Sequence, residues 1–407
     1  MRRRHWISFF SAVLLTLALV PTVALAAPPA DVIPGQYIVV LRDDVADVPA
    51  VADEHARRHG TGVQHLYEHA LKGYAATIPA ARLAQIKADP RVAFVSEDRL
   101  VAATAQTLPT GIDRIDGESS STKSGDGAGA VGVDVAVIDS GIDVLHPDLN
   151  VVGGVNCTTG RGYDDGTGHG THVAGTIGAK DDGVGVVGVA PGVRLWAVRV
   201  LDNRGKGNWS SVVCGIDWVT RNAKTIEVAN MSLGGGGADD GNCGNSNNDA
   251  MHKAICASVN AGVTYVVAAG NASANAAGHV PAAYDEVITV SALADFDGKA
   301  GGGAAATCRA DVDDTFADFS NYGPDVDIIA PGVCITSTWK GGGYNTISGT
   351  SMATPHVTGA AALYKVNNPG ASPTQVKAAL QNTGNLNWDN RDDKDGTKEP
   401  LLNVGGF

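Results

Sequence analysis

From about residue 111 onward the chain repeats one pattern. A short, near-continuous apolar run is followed by a stretch with helical spacing. The apolar runs lie at 133–138, 194–201, 226–231, 264–269, 286–292 and 326–329, and the helical stretches at 169–179, 208–222, 247–261 and 351–366. Strands that are apolar on both faces need cover on both faces, and intervening helices supply it. The pattern therefore predicts an α/β fold, a doubly wound and mostly parallel sheet with helices on both sides. Ligands of such sheets bind beyond the carboxyl ends of the strands. Polar residues directly after the apolar runs are thus the candidates for chemistry.

The preceding residues read differently. Arg2, Arg3 and Arg4 stand before an apolar run from Ile7 to about Val20, and Ala24-Leu25-Ala26 follows. Positive, apolar, then A-x-A is the pattern of a secretory signal cut after about Ala26. The run is short for a membrane span, and no later stretch is long and apolar enough to be one. Residues 31–101 read as a small α+β unit, with strands at 36–41, 74–78 and 92–96 and helices at 48–59 and 80–88. Residues 102–110, AATAQTLPT, form a small-residue linker of the kind that proteases cut. The expected divisions are 1–26, 27–102 and 103–407.

Export bears on the six cysteines. An even number in an oxidising compartment favours disulfides, and no C-x-x-C occurs. Nearest-neighbour pairing, one of fifteen connectivities, gives Cys157–Cys214, Cys243–Cys256 and Cys308–Cys334. Residues 103–407 carry 19 basic and 33 acidic residues, a net charge of −14. Such a balance excludes a nucleic-acid or anionic-membrane partner and fits an exported protein that holds calcium.

Three short motifs stand where the sheet pattern places polar residues. Asp139-Ser140-Gly141 follows the run 133–138. Gly168-His169-Gly170-Thr171-His172 opens one helical stretch, and Gly349-Thr350-Ser351-Met352-Ala353-Thr354-Pro355-His356 opens another. Alone, the aspartate reads as a turn residue or cap, the histidine as structural, and the serine as an N-cap. Together they hold the parts of an acyl-transfer site. A serine hydroxyl needs an adjacent base, an imidazole can take its proton and later release it, and a carboxylate fixes the imidazole tautomer. The helix N-terminus offers one oxyanion donor. Asn271, after Ala268-Ala269-Gly270, offers a second or is a strand-end turn residue.

DSGID, GHGTHVAGT, SLGG, AAGN and GTSMATPH, in that order, resemble the subtilisin-like serine proteases (subtilases). Their spacing and Ser232-Leu233-Gly234-Gly235 are most similar to the proteinase K branch, although that branch often has a cysteine where Val173 stands. The resemblance covers about 110–405. It implies that Asp139 orients His169, that His169 is the base and Ser351 the nucleophile, and that Asn271 helps hold the oxyanion. It implies that residues 34–101 are a propeptide that assists folding, inhibits the enzyme and is removed near Ala102–Ala103. Peptide substrates would lie between Ser232-Leu233-Gly234 and Gly205-Lys206-Gly207, with a side-chain pocket walled also by Ala268-Ala269-Gly270. No acid lies in these walls, so cleavage after apolar or aromatic residues is expected. It also implies a structural calcium at Asp327, completed by the carbonyls of Asp285 and Val287, with no cofactor for catalysis.

Residues 389–396, DNRDDKDG, are acidic enough for calcium, but Arg391 occupies the first ligand position of an EF-hand loop, and the segment reads as a solvated loop. His55 and His59 read as a solvated helix face, and with His65 and His69 they pose the idea of a pH-sensitive propeptide. The expected protein is a secreted, monomeric endopeptidase made as a zymogen. A non-catalytic relative would lack triad members. An α/β-hydrolase would need G-x-S-x-G and the order Ser, Asp, His. A zinc protease would need H-E-x-x-H.

Overall fold

The computed structural model describes residues 32–99, 106–160 and 162–407, so the leader at 1–26 and the cut at Ala102–Ala103 lie outside the described residues. The chain divides into two units, residues 1–103 and 104–407.

In the first unit the elements run β1 (Val32–Leu41), α1 (Val48–His59), β2 (Gly62–Tyr67), β3 (Gly73–Thr77), α2 (Ala80–Lys87) and β4 (Val92–Arg99). The strands form an antiparallel sheet of order β2-β3-β1-β4. Asp47 caps α1 by accepting the Ala50 N–H at 2.9 Å, and Gly60 ends it in the left-handed region. Val39, Leu41, Val51, Tyr74 and Ile86 close the core. The edge strand β2 was not expected from sequence, because little of it is buried and the apolar signal is correspondingly weak. His55 corrects the solvated-face reading. Its side chain is 1% exposed, held between the Tyr74 hydroxyl and Asp89 Oδ2, the latter 3.0 Å from Nε2.

The second unit runs α3 (Thr110–Arg114), β5 (Asp134–Asp139), β6 (Val151–Asn156), α4 (His169–Gly178), β7 (Arg194–Arg199), α5 (Trp209–Arg221), β8 (Val228–Met231) and β9 (Gly235–Gly236). It continues with α6 (Ala250–Asn260), β10 (Thr264–Ala268), β11 (His279–Val280), β12 (Ile288–Ala294), β13 (Thr315–Phe316), β14 (Ile328–Pro331), β15 (Ile335–Trp339), β16 (Gly343–Ile347), α7 (Thr350–Asn367) and α8 (Pro373–Thr383). The main sheet has the order β13-β12-β10-β8-β5-β7-β6, with β14 also paired to β12. All its pairings are parallel except that of the short β13. This is the α/β architecture expected from the pattern. Alternation along the strands feeds two cores. Val135 and Val137 of β5 join Val173, Ile177, Val357 and Ala361 of α4 and α7 on one face. Ala136 and Ile138 join Val212, Ile216 and Ile255 of α5 and α6 on the other.

The three disulfides pair as nearest neighbours, Cys157–Cys214, Cys243–Cys256 and Cys308–Cys334. Sequence reading missed α8, although its start is marked. Ser372 and Gln375 form a capping box, with Ser372 N donating to Gln375 Oε1 at 2.9 Å and Pro373 in the first turn. The solvated-loop reading of 389–396 holds for Arg391, Asp392, Lys394, Asp395 and Gly396, which are exposed, while Asp393 among them is buried.

Candidate active site

Asp139 ends β5, His169 begins α4, Asn271 lies just beyond β10, and Ser351 lies in the first turn of α7. They come from four elements, as the strand-end argument requires. Asp139 is fully buried, and His169 Nδ1–H donates to its two oxygens at 2.8 and 2.9 Å. That contact fixes the tautomer and leaves Nε2 as the working nitrogen. Burial disfavours a proton on His169. The Asp139 charge and hydrogen bond, helped by Asp165, outweigh it and raise its pKa.

The approach of α4 to β5 depends on glycine. A Cβ at Gly170 would lie 2.1 Å from the Gly141 carbonyl oxygen, and Gly168 caps the helix at a φ of +100°. Asp165 anchors the turn, a role that sequence reading missed. It accepts the N–H groups of Thr167, Gly168 and Thr171 at 2.8, 2.9 and 2.9 Å and the Ser140 hydroxyl at 2.8 Å. Burial raises its pKa, but these bonds and the one from the Thr171 hydroxyl prevail and lower it.

His172 serves below. Its Nε2–H donates to the carbonyls of Ile335 and Asn345 at 3.0 and 3.1 Å, tying α4 to the β15–β16 hairpin. Burial outweighs those two bonds and pushes its pKa down to about 4.

Ser351 and Ser232 hold each other. Ser351 Oγ–H donates to the Ser232 carbonyl at 3.2 Å, and Ser232 Oγ–H donates to the Ser351 carbonyl at 2.9 Å. Pro355 makes the second bond available. Inside α7 it has no N–H to give the carbonyl four residues earlier, which is that of Ser351. Among the described residues no hydrogen bond joins Ser351 Oγ to His169 Nε2. Free sites commonly leave that contact open until substrate arrives.

Asn271 Oδ1 accepts Thr350 N–H and Thr350 Oγ1–H at 2.8 and 2.9 Å. This points its amide nitrogen at the space in front of Gly349. A Cβ placed there would be 3.6 Å from both Asn271 Nδ2 and Ser351 N. Asn271 Nδ2 and Ser351 N thus lie equally near one point at Gly349.

A cavity of about 590 Å³ opens beside His169 and Ser232, walled by Gly205, Gly207, Trp209, Leu233 and Gly234. Lys206 is exposed and outside its lining. The stretch 205–207 is no strand but follows a turn in which Asp202 Oδ1 accepts the N–H groups of Arg204 and Lys206 at 2.8 and 3.0 Å. Ala268 and Ala269 are buried and, with Gly270, do not line the cavity. Between Gly234 and Gly270 stands a residue that sequence reading missed, His279. A Cβ on either glycine would lie 3.0 Å from its Nε2. It is placed there by the pairing of β11 with β9, and burial lowers its pKa.

At the calcium position implied by Asp327, Asp285 and Val287 stands a side chain. Lys377 of α8 points its ammonium into that place, 2.8 Å from Asp327 Oδ1, 2.9 Å from the Val287 carbonyl and 3.4 Å from that of Asp285. A cation already tethered to the chain fills this ligand set, so the residues present do not fit a metal ion as well.

The model of the Subtilase family matches residues 130–403, and that of Peptidase inhibitor I9 matches residues 36–104. The extracellular serine proteinase of Thermus sp. (strain Rt41A) is 40% identical over 400 residues, covering 88% of this chain and 87% of that protein. Subtilisin E of Bacillus subtilis (strain 168) is 38% identical over 330 residues, covering 80% and 78%. A crystal structure of a cold adapted subtilisin-like serine proteinase matches with a TM-score of 0.56 at 35% identity, covering 76% of this chain and 93% of that one. The chain belongs to the subtilase family. It is a serine proteinase, a hydrolase with an inhibitor-type N-terminal domain, in a family that needs no catalytic cofactor.

Proposed function

We propose that this chain is a secreted zymogen whose protease domain, residues 103–407, cuts peptide bonds through Asp139, His169 and Ser351, assisted by Asn271. The observation that carries this reading is the His169–Asp139 bond of 2.8 Å, with Asn271 Nδ2 and Ser351 N equally near one point at Gly349. Substrate binding turns Ser351 Oγ from the Ser232 carbonyl toward His169 Nε2. Oγ attacks the scissile carbonyl as His169 takes its proton. The oxyanion settles between the two donors. His169 then protonates the leaving amine, and an acyl-enzyme remains for water to hydrolyse by the same route.

The peptide lies along Gly205–Gly207 on one side and Ser232–Gly234 on the other, adding its backbone to theirs. The pocket prefers apolar and aromatic side chains, because Leu201, Trp209, Val212 and Leu233 line it beside three glycines and no acid does. The motif spacing supports the proteinase K branch, in a monomer that acts on proteins and peptides. Residues 1–26 direct export and are removed. Residues 27–102 act as an intramolecular inhibitor. The similarity of the N-terminal unit to Peptidase inhibitor I9 and the word "extracellular" in the name of the Thermus relative support both statements.

Expression of Ser351→Ala beside wild type tests the reading. Wild type is expected to mature near Ala102–Ala103 without added protease, and the variant to accumulate at full precursor mass. A variant that matures unaided would overturn self-processing by this serine.

A further inference from the structure

The loop from β9 to α6 and the approach to β12 gather acids around one buried histidine. His252, in the first turn of α6, is fully buried. Its ring stacks on that of Tyr284, with 4.0 Å between centres and 2° between planes. His252 Nε2–H donates to Glu286 Oε2 at 2.9 Å. That bond leaves Nδ1 as the free nitrogen, and Nδ1 has no hydrogen-bond partner among the described residues. It faces Asp240 Oδ1 at 3.4 Å and Asp239 Oδ1 at 3.5 Å. The ligand atoms of Asp239, Asp240 and His252 all lie within 4.8 Å of one another.

Two carboxylate oxygens rest against a ring nitrogen only if positive charge stands between them. A proton on Nδ1 would draw an oxygen in to roughly 2.7–3.2 Å, and both separations are longer. A metal ion sets a different spacing. Nitrogen and oxygen ligands lie about 2.0–2.2 Å from zinc, so two corners of its tetrahedron are about 3.4 Å apart. The observed distances match the ion. The charges favour it as well, since the ion-pair partner of Asp239, Asp240 and Glu286 among the described residues is this one imidazole.

The parts are held in position. Asp240 Oδ1 accepts the N–H groups of Asn242 and Gly244 at 3.0 and 2.8 Å, and Oδ2 those of Ser246 and Asn247 at 2.6 and 3.2 Å. Asp239 Oδ2 accepts the Asp285 N–H at 3.3 Å, which leaves Oδ1 toward the ring. The Cys243–Cys256 disulfide closes the loop onto α6. Glu286 stands on the far ring nitrogen, as carboxylates do behind metal-bound histidines, where they fix the tautomer and strengthen the ligand.

We infer that Asp239, Asp240 and His252 bind a zinc-class divalent ion, with Glu286 as a positioning residue. Imidazole nitrogen suits zinc, copper or nickel, whereas calcium takes oxygen ligands alone. Asp239, with 18% of its side chain exposed, leaves room for water to complete the shell. The ion would tie the β9–α6 loop to α6. The inference does not depend on the catalytic roles proposed above, because its test reads metal binding and not turnover.

The full chain carrying Ser351→Ala is titrated with zinc alone, by calorimetry and by thermal unfolding against EDTA. The remaining histidines are common to parent and variants, so the difference between them isolates this site. Asp239→Asn and His252→Gln should each weaken one zinc site about tenfold or more, and Glu286→Gln by about 10–100-fold. Zinc should raise the Tm of the parent, and Asp239→Asn should lose most of that rise. Asp239 is partly exposed, so its variant carries the test if His252→Gln fails to fold. Zinc binding and Tm rise in Asp239→Asn equal to the parent's would overturn the inference. Calcium that displaces zinc at equal concentration would overturn the assignment to a zinc-class ion.

Discussion

The mouth of the sheet and the layer beneath it each hold a histidine from α4, three residues apart, and treat a proton in opposite ways. At the mouth, His169 faces a buried carboxylate whose charge and hydrogen bond outweigh the cost of burial, so the imidazolium is favoured. Beneath, His172 meets carbonyl oxygens, the edge of Trp339 and the fields of His169 and His356, and burial keeps it neutral. One helical turn thus presents a proton acceptor to the cleft and a fixed donor to the β15–β16 hairpin. Histidine type alone does not define a base. The partner on its second nitrogen does.

Removing each side chain separates the two roles most widely. His169→Ala is expected to lower kcat about 10⁶-fold, the size seen when the triad base of a subtilisin is removed. It should leave the melting temperature nearly unchanged. His172→Ala should keep turnover but lose about 2–4 kcal/mol of stability, because it opens a buried space and strands two carbonyls. Steady-state kinetics beside thermal unfolding reads both effects. A His172 variant as inactive as the His169 variant, yet equally stable, would erase the distinction.

Acid sharpens the comparison with a smaller effect. The pKa of His172 is about 4 in the fold, against about 6.5 in an unfolded chain. The unfolded state therefore binds a proton that the native state refuses, and stability falls as pH drops from about 6.5 toward 4. His356, also buried and held down to about 4, acts in the same direction. His172→Gln should flatten this acid limb by about one proton in chemical unfolding measured across that range. An acid limb unchanged in the variant would mean that His172 is not held neutral.

Much of this contrast was legible in the chain. The runs at 133–138 and 264–269 placed Asp139 and Asn271 at strand ends, and the glycines around His169 and Ser351 marked helix starts. Local order carries that information. What escaped depends on neighbours distant in sequence. His279 reaches the space between Gly234 and Gly270 only through the two-residue pairing of β9 with β11. Lys377 meets Asp327 only once α8 is packed, and although the Ser372 capping box was readable, its partner was not. Within the largely exposed segment 389–396, composition does not reveal that Asp393 alone turns inward.

The account rests most directly on where the two protons reside, and NMR titration of the imidazole resonances in Ser351→Ala protein from pH 9 to 5 measures it. His169 should take up its proton with a midpoint above the ordinary imidazole value of about 6.5, and Asp139→Asn should bring that midpoint down. His172 should keep one neutral Nε2–H form throughout. A His169 midpoint below 6.5, or a His172 that titrates within that range, would contradict the division of labour on α4.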